Sequence, residues 1–141
     1  MARWLVKEEP DHYSYAQLER DRTTVWAGVK NPLAQKHLRS MHKGDRIFYY
    51  HTGGEKAVVG IARAASDAYP DPADKTGKLH VVDVVPEQRL ARPVTLAEIK
   101  ADAAFATFAL VRISRLSVMP VTAEEWTRIE ALAKGTTPRS I

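Results

Sequence analysis

Residues 26–31, Trp26-Ala27-Gly28-Val29-Lys30-Asn31, set a bulky aromatic beside a glycine and just ahead of the helix-opening pair Asn31-Pro32. A tryptophan in such a turn before a helix has a ring face to offer a ligand. The helix that follows runs from Leu33 to about Met41 and carries Lys36, Arg39 and Lys43. No Asp or Glu occurs from Trp26 through Gly44. An aromatic platform next to a basic surface of one sign suits stacking on a base while a phosphate backbone is held. The alternative for Trp26 is a place in the core.

Lys7, Glu8 and Glu9 end the first apolar run, where polar groups line the mouth of a pocket. A carboxylate there is able to accept a hydrogen bond from an amino group on a base edge, or it is a solvated turn before Pro10. His51 closes the run Phe48-Tyr49-Tyr50-His51-Thr52 beside Gly53-Gly54. Strand alternation puts Tyr49 and His51 on one face and Phe48 and Tyr50 on the other. Core packing is the competing role for the aromatics, and a structural hydrogen bond for the histidine. Arg112 and Arg115 lie in a stretch without acids, and either extend the basic surface or pair elsewhere.

Much chemistry is missing. The chain has no Walker-type phosphate loop, no Gly-x-Gly-x-x-Gly, no His-Glu-x-x-His and no Gly-x-Ser-x-Gly. Five scattered histidines and no cysteine give no metal site, no disulfide and no thiol nucleophile, and fit a cytoplasmic setting. The N-terminus is too short in apolar residues for a signal peptide, and no run approaches a membrane span. A net charge of +4 favours nucleic acid weakly.

The elements that must hold these residues follow from local signals. Strands are expected around 3–7, 46–52, 57–65, 79–85 and 116–121. Ser14 with Gln17, Thr95 with Glu98 and Thr122 with Glu125 mark capped helices, and Asn31-Pro32 opens another. Ala34, Leu38 and Met41 form a buried stripe, with Lys36, Arg39 and Lys43 on a different face. Tyr69-Pro70-Asp71-Pro72 reads as a rigid loop. Gly135 ends the last helix, and a frayed polar tail follows at 136–141. Strands linked mostly by hairpins, with no βαβ rhythm, give one α+β domain over 1–135 built on a small, mainly antiparallel barrel or curved sheet.

Ordered blocks then carry a resemblance: Trp4-Leu5-Val6-Lys7-Glu8-Glu9-Pro10, Tyr13-Ser14, Trp26 to Asn31, Met41 to Asp45, Phe48 to Thr52, Val59-Gly60-Ile61-Ala62, Tyr69 to Pro72, Arg92 to Leu96, and Arg115-Leu116-Ser117-Val118. Over residues 3–133 the chain resembles the EVE domain, a PUA-like family related to YTH and ASCH domains. The resemblance implies a PUA-like β-barrel with flanking helices and a pocket for a modified nucleobase of methylated cytosine or adenine type, in DNA or RNA. It matches Trp26 to a cage tryptophan. The family pattern carries Ser at the position of Glu8, Asp at Ala27 and Arg at Lys30, and has a longer loop after Tyr69-Pro-Asp-Pro, where a second cage wall belongs. Losing an arginine removes a planar bidentate donor.

The reading is a non-enzymatic, monomeric binding module without metal or cofactor. Its ligand contacts are Trp26, Gly28, Val29, Asn31, Lys7, Glu8, His51, Thr52 and Tyr69. Its phosphate contacts are Lys30, Lys36, Arg39, Lys43 and Arg115. Two rivals stand beside it. One is an ASCH-like amidohydrolase acting on modified nucleosides through Lys7, Glu8 and Thr52, and the other is a protein- or metabolite-binding domain.

Overall fold

A computed structural model describes residues 1–135; the expected tail at 136–141 lies outside them. Strand β1 (Arg3–Glu8) leads into a single helical turn, α1 (Pro10–Tyr13), and then α2 (Tyr15–Asp21). Ser14 caps α2 by accepting from the Gln17 N–H at 3.0 Å. The reciprocal half of the expected box is absent, because the Gln17 side chain turns along the helix instead, its Oε1 accepting from Arg20 (2.6 Å) and its Nε2 donating to Asp21 (2.9 Å). A short strand that the sequence reading missed, β2 (Thr24–Trp26), precedes α3 (Pro32–Arg39). Asn31 caps α3 through its Oδ1, with Pro32 at the first position where its missing N–H costs nothing.

The hairpin β3 (Arg46–His51) and β4 (Ala57–Ala64) follows as expected, and Tyr69–Pro70 forms a minimal strand, β5. Strand β6 (His80–Thr95) runs ten residues past its expected end, through Pro86 and Pro93, directly into the Thr95 cap of α4 (Leu96–Lys100). A 3₁₀ turn at Ala103–Phe105 and a further helical turn, α5 (Ala109–Arg112), lead to β7 (Val118–Pro120) and α6 (Ala123–Ala133). Both capping boxes, Thr95/Glu98 and Thr122/Glu125, are complete. Gly135 adopts φ +73° just beyond the last helix, the left-handed position glycine favours.

One mixed, curled sheet runs in the order β2-β6-β4-β3-β1-β7, with β5 on β6. All pairings are antiparallel except β1 with β3. That parallel pair is the exception to the expected hairpin rhythm, and the chain bridges it with the α1–α3 segment. Alternation along β3 is as expected. Tyr49 meets Tyr15, Trp26 and His51 edge-on, whereas Phe48 stacks on Trp126 of α6, centroids 3.6 Å apart. The sheet thus has one face toward α2 and β2 and the other toward α4–α6. Two buried polar groups pin the connections. Asp45 accepts from Trp4 Nε1 (2.9 Å) and from the backbone of Ala2 and His42, fixing the turn after α3. Gln35 donates to the carbonyls of Val29 and His80 and accepts from the His80 N–H, tying α3 to β6.

Candidate functional site

Trp26 does not sit in an open turn. It ends β2, paired with Val82 of β6, and only 6% of it is exposed. Its ring packs edge-on against Tyr49, whose hydroxyl donates to the Tyr13 carbonyl. Burial, then the nearby Glu8 charge, holds the Tyr49 phenol far above its usual range. Trp26 is therefore part of the core, yet it also lines a cavity of about 220 Å³ together with Glu8, His12, Tyr13, Thr24, Val25 and Ala27. That volume is below the roughly 300–1,000 Å³ of sites for drug-sized ligands and suits one flat ring.

The cavity's chemistry comes from β1 and α1. Glu8 is the last residue of β1; one carboxylate oxygen accepts from the Glu9 N–H (2.9 Å) and the other pairs with the exposed His12 (3.1 Å). Tyr13 supplies a second aromatic wall, held by its hydroxyl on Asp21 (2.8 Å) and by the bond from Tyr49 to its carbonyl. The ligand contacts expected from the sequence did not include Tyr13, His12, Thr24, Val25 or Ala27. The Tyr13-Ser14 block just after β1 was the one signal that pointed to this wall. Val25 is 52% exposed at the rim although it is apolar.

The remaining expected contacts are dispersed. His51 is buried and both ring nitrogens are engaged: Nε2 accepts from the Tyr15 N–H (3.0 Å), so Nδ1 carries the proton and donates to Glu55 (2.7 Å). It performs the structural role. Asn31 spends its side-chain oxygen on the α3 cap, and Val29 is buried, while Gly28 (φ +80°) is exposed with open space where a Cβ would stand. Tyr69 donates to Asp83 (2.6 Å) and does not line the cavity. Lys7 and Thr52 line a different cavity from Glu8. Successive β1 side chains point to opposite faces, so the three residues expected for hydrolytic chemistry do not converge.

Lys30, Lys36, Arg39, Lys43 and Arg115 are exposed, and none enters an ion pair among the described residues. Lys43 does not share the helix face of Lys36 and Arg39. The helix stops at Arg39, and Lys43 stands in the following turn, its N–H donating to Asp67 (2.9 Å). A stretch free of acids in sequence is not free of them in space. Among the described residues no cluster of three or more metal-binding side chains occurs, and no helix is long and apolar enough to cross a membrane.

A curled mixed sheet with helices on both faces and a small aromatic-walled cavity at its β1–β2 end defines an α+β protein of PUA-like type. More closely, the chain belongs to the EVE domain family, whose model matches residues 2–132. Human thymocyte nuclear protein 1 is 31% identical over 157 residues, 87% of this chain and 70% of that protein. The solution structure of Rpa0253 from Rhodopseudomonas palustris superposes with a TM-score of 0.91 at 44% identity, covering 97% of this chain and 96% of that one. The human protein THYN1, crystallised in complex with DNA containing 5-methylcytosine, superposes with a TM-score of 0.87 at 28% identity, covering 95% and 98% of the two chains.

Proposed function

We propose that this chain is a non-enzymatic module that binds DNA carrying a modified base of the cytosine type and seats that base in the cavity between Glu8 and Trp26. The observation that carries the reading is the likeness, over nearly the whole chain, to a protein crystallised with DNA containing 5-methylcytosine. The cavity supports it on physical grounds. Its volume suits a single ring, two aromatic residues wall it, and a carboxylate stands at its edge. An ionised carboxylate accepts hydrogen bonds and donates none, so Glu8 favours a base presenting an amino group and rejects one presenting only a carbonyl there. A base reaches such a cavity only from a single strand or after leaving the duplex stack.

The unpaired cations Lys30, Lys36, Arg39, Lys43 and Arg115 hold the backbone without reading sequence. The hydrolytic alternative finds no constellation, since Glu8 shares no cavity with Lys7 and Thr52. The test is fluorescence anisotropy with short DNA and RNA strands carrying cytosine, 5-methylcytosine, N6-methyladenine or thymine at one position, at two salt concentrations. The expected result is preference for the methylated cytosine in DNA on top of a salt-sensitive background. Equal affinity for every strand, or none for any, overturns the reading.

A further inference from the structure

The sheet's opposite face holds a second cavity, of about 320 Å³, between the ends of β1 and β3, α4 and α5. Three lysines line it, Lys7, Lys56 and Lys100, and no carboxylate does. None of the three enters an ion pair among the described residues. Lys7 is the unusual one. It is half-buried, its ammonium donates to the Ser114 carbonyl (2.8 Å) and lies 5.8 Å from the centre of the Tyr50 ring, and burial pushes its pKa down. Thr52 lines the same cavity, and its hydroxyl is buried with no hydrogen-bond partner among the described residues. A half-buried ammonium held by one neutral carbonyl, with two further lysines lining the same cavity and no carboxylate, gains from an anionic acceptor, as does an orphaned hydroxyl.

We infer that this cavity is a phosphate-binding site, with Lys7 and Thr52 at its floor and Lys56 and Lys100 at its mouth. Three ammonium groups match the double charge of a phosphate monoester better than a single carboxylate, and lysine acts on phosphate as a point charge. Leu110 and Val111 offer apolar surface to whatever carries the phosphate. The carrier is either a small organic phosphate or a nucleic-acid strand passing the opening. The site needs no base in the Glu8–Trp26 cavity, because β1 separates the two.

The test titrates the ¹⁵N-labelled chain separately with inorganic phosphate, a nucleoside monophosphate and an unmodified DNA strand, reading backbone amide shifts. Saturable shifts at Lys7, Thr52, Gly53 and Ser114 are expected. The double variant Lys56→Ala with Lys100→Ala should weaken them about tenfold, the scale of a lost charge-assisted contact. Saturation by the monophosphate alone identifies a small organic phosphate, while saturation by the strand, reversed by inorganic phosphate, identifies the backbone. Lys7→Met should abolish the response. If that variant does not fold, the double variant decides, since both its lysines are exposed. The inference is overturned if no probe shifts these amides, or if the variants bind as the wild type does. Loss of modified-base preference with these shifts intact would sink only the base reading.

Discussion

Lys7 and Glu8 are neighbours in the chain whose side chains serve opposite faces of the sheet, and each ends in a separate cavity. The consequences differ for the two aromatic-cavity residues that matter most. Glu8 contributes a charge at a half-open edge, so Glu8→Ala should leave the melting temperature close to wild type. It should weaken binding of a cytosine-bearing strand by about tenfold or more, because a hydrogen bond to a charged group is worth roughly 1.5–3 kcal/mol. Anisotropy with cytosine and thymine strands in parallel checks this, and equal losses for both would remove Glu8 from base reading. Trp26 contributes packing as well. Trp26→Ala should cost about 3–5 kcal/mol of stability, the scale for emptying a buried tryptophan site, measured by urea unfolding. A near-neutral change there would mean that the ring belongs to the cavity and not to the core.

At the scale of elements, α3 joins two jobs. Its buried residues Ala34, Gln35 and Leu38 dock it on the sheet, and its outer side presents Lys36 and Arg39. Reversing both charges, Lys36→Glu with Arg39→Glu, should weaken modified and unmodified strands equally. It should also flatten the slope of log affinity against log salt by about one unit per lost contact. An effect confined to the modified strand would instead place these side chains at the base. The α4 cap carries a pH signature. Arg92 on Glu98 (2.6 Å), opposed by burial and aided by the Thr95 groups, holds the Glu98 carboxyl down at about 2 from an ordinary 4.5. A lowered folded-state value means that the stabilisation is complete above the ordinary carboxylate range and is lost as pH falls through about 2. Glu98→Gln should therefore be less stable than wild type at pH 7, and the gap in melting temperature should close between pH 5 and pH 2.

The whole molecule depends on close approach across the curled sheet. Gly60 lies at an irregularity in the β4–β6 pairing, and the Tyr15 ring of α2 covers it so closely that an added Cβ would stand 2.6 Å from ring carbons. Tyr15 also donates to the Ile61 carbonyl (2.7 Å), and its phenol is pushed up to about 12, chiefly by burial. The ring is held and has little room to yield. Gly60→Ala should destabilise the protein by about 1–3 kcal/mol, the range for overpacking a filled core, read as a lower midpoint in chemical denaturation. An unchanged midpoint would show that α2 shifts freely on the sheet. Because α2 follows the Glu8–Tyr13 wall directly, such a shift would also be visible as altered strand binding.

The sequence by itself determined what local physics determines. Capping residues marked the starts of α2, α3, α4 and α6; the aromatic run marked β3 and its alternation; and the ordered blocks marked the EVE domain. The tertiary structure decided whatever depends on neighbours distant in the chain. Strand β2 is three residues long and exists because β6 offers it a partner, which moved Trp26 from an expected turn into a strand and most of the way into the core. The last ten residues of β6 contain two prolines and lie beyond the expected strand, yet pairing with β4 extends it. Lys7, Glu8 and Thr52 looked like one chemical group by type. Their assignment to two cavities came from the side each strand position faces once β1 lies between β3 and β7. The fate of His51 was likewise set from outside its own strand, by the Tyr15 N–H that reaches its ring from α2. Caps and alternation are written within a few residues of themselves, whereas a cavity wall is assembled from segments that meet only when the chain has folded.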